Sequence, residues 1–419
     1  MKRTELFTKT RKTAPSEEVA QNAQLLIRAG FIHKEMAGVY AFLPLGLRVL
    51  ENIKQIIREE MNALGGQELL MTSLQPRELW EKTGRWDDAV VDNWFKTKLA
   101  SGAELGVGLT HEEPIVAAVG EFANSYKDFP LTVYQIAPKF RNEKRAKSGI
   151  LRGREFLMKD AYSFARTKAE HREIYEKMAA GYARIFERLG IGGITFRCCA
   201  DGGYFTDDFS DEFQTLSDAG EDTIYVDFAK KLAINKEILT DDNLAKAGLK
   251  RENLVEKRSI ESGNIFPLES KYTDALGVYY LDENGERRSL VMGCYGIGVS
   301  RLMGVIAEVF ADAKGLVWPA SVAPFQLYLI NLGEDDDVLR ETEKIYRELI
   351  SRNVEVLWDD RDARAGEKFA DADLMGVPWR VVVSAKTLQD KGFELKARTA
   401  DAADMVDARE LLARLSGKK

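Results

Sequence analysis

Cysteine and histidine are scarce in this sequence, three of each in 419 residues. Cys198, Cys199 and Cys294, two of them adjacent, cannot build a disulfide framework; small buried thiols in a reducing compartment are the expectation. His33, His111 and His171 stand far apart, and none makes a zinc-ligand pair with a cysteine, so no zinc centre is expected. No run of 18 apolar residues occurs, which excludes a membrane-spanning helix. Positive charge is not in excess either. With 60 basic and 67 acidic residues the net charge is −7, which excludes a wholesale basic coat but leaves room for a local nucleic-acid site. Internal repeats and low-complexity tracts are missing, and with them disordered and fibrous scaffolds.

What remains is the composition of a folded protein, 45% hydrophobic and 30% charged, long enough for two or three domains. Residues 1–13 are basic and threonine-rich in the manner of a transit segment. Glu5 interrupts them and Ser16-Glu17-Glu18 follows directly, so the stretch reads as part of a mature cytoplasmic protein. Residues 15–62 read as helices around a Leu43-Pro44-Leu45-Gly46 turn, followed by short strands at 68–73 and 105–110. Alternation at 132–140 and 154–164 around a polar stretch predicts an antiparallel hairpin with a long tip. Thr167 to Glu170 has the form of a capping box before a helix ending near Gly190. Residues 224–262 are mixed and charged and read as a linker. After a boundary at 318–324, strands at 326–331, 354–358 and 379–384 alternate with helices, predicting an α/β domain with a largely parallel sheet.

Three segments carry chemistry. Between residues 139 and 159 lie eight basic side chains and two acidic ones, a cluster of net charge +6 that suits a polyanion. Within it Arg141 and Glu143, two apart, would share a strand face; the arginine fork fits carboxylate and phosphate together, and the glutamate can accept from an exocyclic amine. A salt-bridged hairpin on a solvated face is the alternative. The second segment runs from Gly293 through Gly296 and Gly298 to Arg301, with glycines that permit close backbone approach and an arginine near a helix start. It is equally the form of a tightly packed strand–helix turn. In the third, Thr110-His111-Glu112-Glu113-Pro114, the Thr110 hydroxyl and Glu112 carboxylate suit a cationic amine.

In this order, the three segments resemble the signature motifs of class II aminoacyl-tRNA synthetases, and more closely those of the bacterial-type prolyl-tRNA synthetase family. The matching stretches include Tyr134-Gln-Ile-Ala-Pro-Lys-Phe-Arg, Arg154-Glu-Phe-Leu-Met-Lys-Asp-Ala-Tyr-Ser-Phe and Met292-Gly-Cys-Tyr-Gly-Ile-Gly-Val-Ser-Arg. Asp359-Asp-Arg and Gly366-Glu-Lys-Phe-Ala resemble that family's anticodon-binding domain. The resemblance implies an α+β catalytic domain with an antiparallel sheet over residues 1–322 and an α/β anticodon-binding domain over 323–419. It implies ATP-dependent activation of L-proline and transfer to tRNA(Pro). Arg141 would hold the proline carboxylate and the α-phosphate; Glu143 and Phe156 would take the adenine; Arg152 and Arg301 would clamp the outer phosphates, with Gly296 and Gly298 beside the nucleotide. Thr110 and Glu112 would grip the imino nitrogen, with Met158, Asp160 and Asp211 lining the proline pocket. Mg²⁺ would bridge the phosphates with Glu212 as a ligand. The stretch around residues 44–61 resembles the dimer-forming first motif, so a homodimer follows.

Two features depart from the family pattern. Ser210-Asp211-Glu212-Phe213 stands where a histidine is usual at the second position, preceded by the unusual Gly203-Tyr204-Phe205-Thr206-Asp207. The editing domain that many bacterial relatives insert is missing, so no editing in cis is expected, and mischarged alanyl-tRNA would be tolerated or cleared by a separate protein. Residues 325–419 hold 16 basic and 20 acidic side chains, net −4. Anticodon recognition should therefore be local, with Arg361 and Lys368 as the candidates.

Overall fold

A computed structural model describes residues 1–206, 208–333 and 335–415; Asp207 and the chain end at 416–419 lie outside the described residues. Two compact units are present. One comprises Met36–Val39 and Lys54–Val305, the other Met1–Glu35, Tyr40–Ile53 and Ile306–Lys419. The sequence pattern sets one boundary near residue 322. In the structure, the unit holding the C-terminal sheet also takes in the first 35 residues.

The first unit is built on a nine-stranded, mostly antiparallel sheet. Its elements are α1 (Glu112–Phe122), β1 (Leu131–Phe140), β2 (Glu155–Ala165), α2 (Lys168–Arg188), β3 (Thr195–Ala200), β4 (Ser210–Leu216), β5 (Asp222–Asp227), β6 (Leu232–Asn235), β7 (Val255–Glu269), β8 (Val291–Gly298) and the start of α3 (Val299–Phe310). Spatially the order is β4-β3-β6-β5-β7-β8-β2-β1, with the two-residue strand Gln67–Glu68 parallel to β1 at the edge. β4 also pairs with β7, so β7, β4, β3, β6 and β5 close a circuit.

The β1–β2 hairpin forms in the register that alternation predicts, Phe140 opposite Glu155. Its apolar side chains split between two layers. Tyr162, Phe164, Met292 and Cys294 share one face and pack on Ile115, Val116 and Val119 of α1. On the other face lies α2. Its Thr167 side chain accepts from the Glu170 amide, while Glu170 folds back to the Arg166 amide (2.7 Å), one residue short of a reciprocal box.

Several expectations need correcting. Residues 15–62 are not helical throughout: Gln21–Arg28 is followed by a hairpin, Ile32–Met36 with Val39–Phe42, before the helix Pro44–Ala63. Pro44 opens that helix rather than forming a turn, because a first-turn N–H needs no intrahelical acceptor. The strands at 68–73 and 105–110 shrink to Gln67–Glu68 and Glu104–Val107. Residues 224–262 are no linker; β5, β6 and much of β7 come from them, paired within the main sheet. Their charge hid the strands because Val255 to Arg258, at the start of β7, are exposed on both faces, whereas Ser259 and Ile260 are buried.

In the second unit, β9 (Leu327–Leu332), α4 (Asp336–Ser351), β10 (Val356–Asp359), α5 (Ala365–Met375), β11 (Trp379–Ser384), β12 (Phe393–Ala397) and β13 (Asp404–Val406) form an α/β layer structure. The order is β10-β9-β11-β12-β13, with the first three strands parallel and the last two antiparallel. Leu327, Leu329, Val356, Val381 and Val383 pack on Val338, Ile345 and Leu349 of α4.

Candidate active site

Arg152 and Arg301 line one cavity with Leu151, Glu221, Asp222 and Glu261. Arg152 is ion-paired with Glu221 and lies 3.5 Å from the Glu143 carboxylate. Arg301 donates from Nε to the Leu151 carbonyl (2.8 Å) and from Nη1 to the Glu261 carboxylate (3.0 Å). Local geometry puts it there: β8 ends at Gly298, α3 begins at the next residue, and a Cβ on Gly298 would stand 3.0 Å from the Arg301 Cβ. The first turn is tied to β2 by the Leu157 amide, which donates to Ser300 Oγ (3.1 Å).

Arg141 and Glu143 do not share a strand face, because β1 ends at Phe140. The chain turns instead: the Glu143 amide donates to the Arg141 carbonyl (2.8 Å), and Arg154 holds the Glu143 carbonyl from Nε and Nη2 (3.1 and 2.9 Å). The Arg141 guanidinium lies over the Phe156 ring at 5.3 Å, and its buried Nε has no hydrogen-bond partner. A buried donor without an acceptor is costly.

Thr110 and Glu112 do come together. Thr110 Oγ1 donates to the Glu112 carboxylate at 2.7 Å. Glu112 is fully buried and also takes Arg85 Nη1 (3.1 Å) and Cys294 Sγ (3.2 Å). With its hydrogen committed to Glu112, the Thr110 hydroxyl keeps only its lone pairs, as acceptors. Arg85 Nη1 also pairs with Glu113 at 3.0 Å, so two buried carboxylates share one guanidinium. Burial and the Glu112 charge push the Glu113 carboxyl up; the two carboxylates together outweigh burial and push Arg85 up. Two carboxyls thus face one guanidinium, and the upward push on Glu113 opposes a second full negative charge.

Met158, Asp160, Gly296, Gly298 and Glu212 lie on one face of the sheet, linked by Met158 opposite Gly298, Asp160 opposite Gly296, and Gly296 and Glu212 both opposite Asn264. A Cβ on Gly296 would have nothing nearer than 3.9 Å. Asp160 is the hub of a buried network with Lys139 Nζ (2.8 Å), Gln135 Nε2 (2.9 Å) and Tyr162 OH (2.8 Å). Burial pushes its carboxyl up, but Lys139 and His111 more than offset this and hold it below the usual range.

Asp211 is a correction. It faces the opposite side of the sheet from Glu212, opposite Ile265, and pairs with Arg197 (2.6 Å) and Tyr175 OH (2.9 Å). Strand alternation puts consecutive residues on opposite faces, so Asp211 cannot line a pocket that Met158, Asp160 and Glu212 face. Glu212 accepts from Gln214 (2.9 Å) and Asn235 (3.2 Å); burial and the nearby Glu261 push its carboxyl up to about 8. Gln214 also donates to Asp222 (2.8 Å), leaving its own Oε1 without a partner.

The anticodon candidates are likewise committed within the second unit. Arg361 binds both oxygens of Asp359 (2.8 and 2.7 Å) and reaches Asp371 (2.8 Å). Lys368 is 2% exposed and donates to the carbonyls of Asn331 (2.9 Å) and Asp359 (3.1 Å). Both brace the β9, β10 and α5 ends and are not free to meet an RNA base.

Residues 95–310 match the model of the tRNA synthetase class II core domain (G, H, P, S and T), and 326–418 match that of the anticodon binding domain. A proline–tRNA ligase of Bradyrhizobium sp. is 38% identical, covering 100% of this chain and 99% of its own. One from Gluconobacter oxydans is also 38% identical, over 99% of both. The chain belongs to the proline–tRNA ligase family. As a member it is a ligase with a class II core. The alignments run end to end in both partners, so the chain carries no domain-sized insertion or loss relative to these ligases. Prolyl-tRNA synthetase of Cryptosporidium parvum, solved with halofuginone and AMPPNP, superposes with TM-score 0.78 at 17% identity, covering 94% of this chain and 75% of that one. The Giardia lamblia enzyme with prolyl-adenylate gives 0.77 at 18%, covering 93% and 74%. These two share the fold. No helix of the described residues is long and apolar enough to cross a membrane.

The sequence reading missed Arg85, Lys139 and Glu261. Arg85 lies outside every motif, and only its place between Trp80 and Trp86 sets it apart. Lys139 was counted merely as one more cation of the basic cluster.

Proposed function

We propose that this ligase joins L-proline to ATP as prolyl-adenylate and passes the prolyl group to the 3′ end of tRNA(Pro). Residues 1–322 would serve catalysis and 323–419 anticodon recognition. The observation that carries the amino-acid assignment is the buried Thr110–Glu112 pair, with the second carboxyl, Glu113, on the same guanidinium. A secondary ammonium entering there donates its N–H to the Thr110 lone pairs and is attracted by the Glu112 carboxylate, a gain that low dielectric enlarges.

Arg141, with its unpartnered Nε, orients the proline carboxylate against the α-phosphorus. A carboxylate oxygen forms the new P–O bond as the bond to pyrophosphate breaks. No protein nucleophile is needed; position and charge neutralisation suffice. Arg152 and Arg301 would exchange Glu221 and Glu261 for the outer phosphates, with the glutamates as place-holders until ATP arrives. Glu143 and Phe156 would receive the adenine, one by hydrogen bond and one by stacking.

No group of three acidic, histidine or cysteine side chains able to hold a metal occurs among the described residues. Mg²⁺ is held by one or two carboxylates plus phosphate and water, and needs no such group. Glu212, with its raised carboxyl and the orphaned Gln214 oxygen nearby, would supply the protein side, and the ion would neutralise phosphate charge. The reading includes no zinc, a homodimer, a cytoplasmic location with proline, ATP and tRNA as substrates, and a separate protein clearing mischarged tRNA.

Amino-acid-dependent ATP–pyrophosphate exchange tests it. Proline should drive exchange, alanine weakly and threonine not at all, and Arg141→Ala should abolish it. Exchange driven by threonine, or by no amino acid, would overturn the reading.

A further inference from the structure

With Arg361 and Lys368 committed inside the domain and residues 325–419 carrying net −4, the second unit needs another place for RNA. Residues 1–13, basic and threonine-rich, have no part in the proposed chemistry. The structure sews them down. The Met1 ammonium donates to Tyr346 OH (2.6 Å), and the Trp358 amide to the Met1 carbonyl (3.0 Å). Thr4 donates to Asp360 from its amide (3.0 Å) and Oγ1 (2.6 Å), Thr10 Oγ1 to Asp371 (2.7 Å), and the Arg11 amide to the Arg28 carbonyl (2.8 Å). A stretch whose composition suits a loose tail instead has its backbone held in place, and its cations project from it.

Those cations meet others. Arg11, Lys12, Arg28 and Lys314 line one groove of about 710 Å³ within this unit, against α5. Lys314 is held as firmly as Arg11. Its amide donates to Asp312 Oδ1 (2.8 Å), and Asp312 is gripped by both Nη atoms of Arg398 (2.8 and 2.7 Å). Gly315 beside it, at φ +150°, backs so closely on α5 that a Cβ would lie 2.5 Å from the Leu374 Cα.

Three carboxylates also line the groove, and each has a cation already: Asp371 has Arg361 (2.8 Å), Asp373 has Arg380 (3.5 Å) and Glu367 faces Arg361 at 3.7 Å. Arg11, Lys12, Arg28 and Lys314 have no side-chain hydrogen bond or ion pair among the described residues, and Arg28 Nε is buried without an acceptor. Four cations from three chain segments thus converge unneutralised in a protein of net charge −7.

We propose that this groove is a binding site for the phosphodiester backbone of the tRNA, formed jointly by the N-terminal segment, the Asp312–Gly315 turn and α5. It rests on the ligase reading for the RNA's identity. Cations that no carboxylate neutralises favour a polyanion, and phosphate contacts position an RNA without reading its sequence. The base-reading side chains then need only complete a complex that this groove has oriented.

The test is binding of a tRNA(Pro) transcript to the full chain at several salt concentrations. The triple variant Arg11→Glu/Lys12→Glu/Lys314→Glu, all at exposed positions, should raise Kd at least tenfold. It should flatten the log Kd–log salt slope by about 2, and raise the KM for tRNA in aminoacylation. Proline-dependent pyrophosphate exchange should stay within twofold. Lys386→Glu, an exposed cation of the same unit away from the groove, should change Kd by less than twofold. The single variant Lys12→Ala guards against a folding defect and should still flatten the slope. Unchanged Kd and slope would overturn the proposal, as would polyglutamate of equal charge competing as strongly as RNA, which would make the groove a site for acidic protein. Exchange with proline reads the ligase assignment separately, so failure of one is distinguishable from failure of the other.

Discussion

Arg85 concentrates the residue-scale energetics of the amino-acid site. At 2% exposure it is the shared partner of Glu112 and Glu113, with Trp80, Tyr204, Phe205 and Tyr272 rings within 5.3 Å. Removing one member of a buried ion pair strands the other, at a cost of about 3–5 kcal/mol. Arg85→Met should therefore lose about that much in urea unfolding, and Glu113→Gln distinctly less, because it keeps Glu112 paired with Arg85. Equal losses would contradict the sharing. Lys159 offers a second check. Buried against Tyr182 OH and the Tyr295 carbonyl, its ammonium is pushed down by desolvation to about 7, from an ordinary value of 10.5. Between those values the unfolded chain holds more protons than the folded one, so this group makes stability rise with pH across that window and costs stability below it. The rise is bounded by about 1.4 kcal/mol per pH unit. Urea midpoints at pH 7 and pH 9 should show the wild type gaining on Lys159→Met; parallel shifts in both would count against the buried amine.

At the scale of elements, β8 shows how one strand serves both faces of the sheet. Gly293 faces α2, where a Cβ would meet Tyr295 OH at 2.3 Å and His171 Cε1 at 2.7 Å; Gly296 faces the candidate site, where nothing comes within 3.9 Å. Two substitutions of the same chemistry should thus have opposite signatures. Gly293→Ala overpacks a core and should destabilise by about 1–3 kcal/mol. Gly296→Ala should fold with wild-type stability and raise the KM for ATP or proline in exchange kinetics, since it fills space left for a ligand. A stable Gly293→Ala, or an unstable Gly296→Ala, would undo the division. The hairpin β1–β2, the α2 helix and the strand–helix alternation of the second unit were legible because their periodicity follows burial on one face. The hairpin at residues 32–42 and the strands β5 and β6 were not, because they are short and their pairing partners are distant in sequence, which local alternation cannot report.

For the molecule as a whole, the end-to-end alignment with ligases of like length leaves no room for an inserted editing domain. A pocket that accepts proline rejects alanine only by the methylenes of the ring, worth about 1–3 kcal/mol each. The protein should therefore form some alanyl-tRNA(Pro). Incubated with this protein alone, preformed alanyl-tRNA(Pro) should decay at its spontaneous rate, read by acid-gel assay. Rapid hydrolysis would reveal editing chemistry elsewhere in the fold.

The sequence by itself determined the chemistry on offer: arginines at 141, 152 and 301, the Thr110–Glu112 spacing, the glycines of β8 and the family those motifs signify. These are legible because each role demands a residue type at a set spacing along one strand or turn. Tertiary structure decided which of those side chains are available. It turned Asp211 to the far face, because neighbours on a strand point opposite ways, and paired it with Arg197. Arg361 and Lys368 went into bracing, since cations among buried carboxylates and carbonyls satisfy them before any ligand does. From outside every motif it brought Arg85 to Glu112, and it gathered Arg11, Arg28 and Lys314 into one groove. Charge neutralisation is a property of distances in space, and a sequence records only distances along the chain.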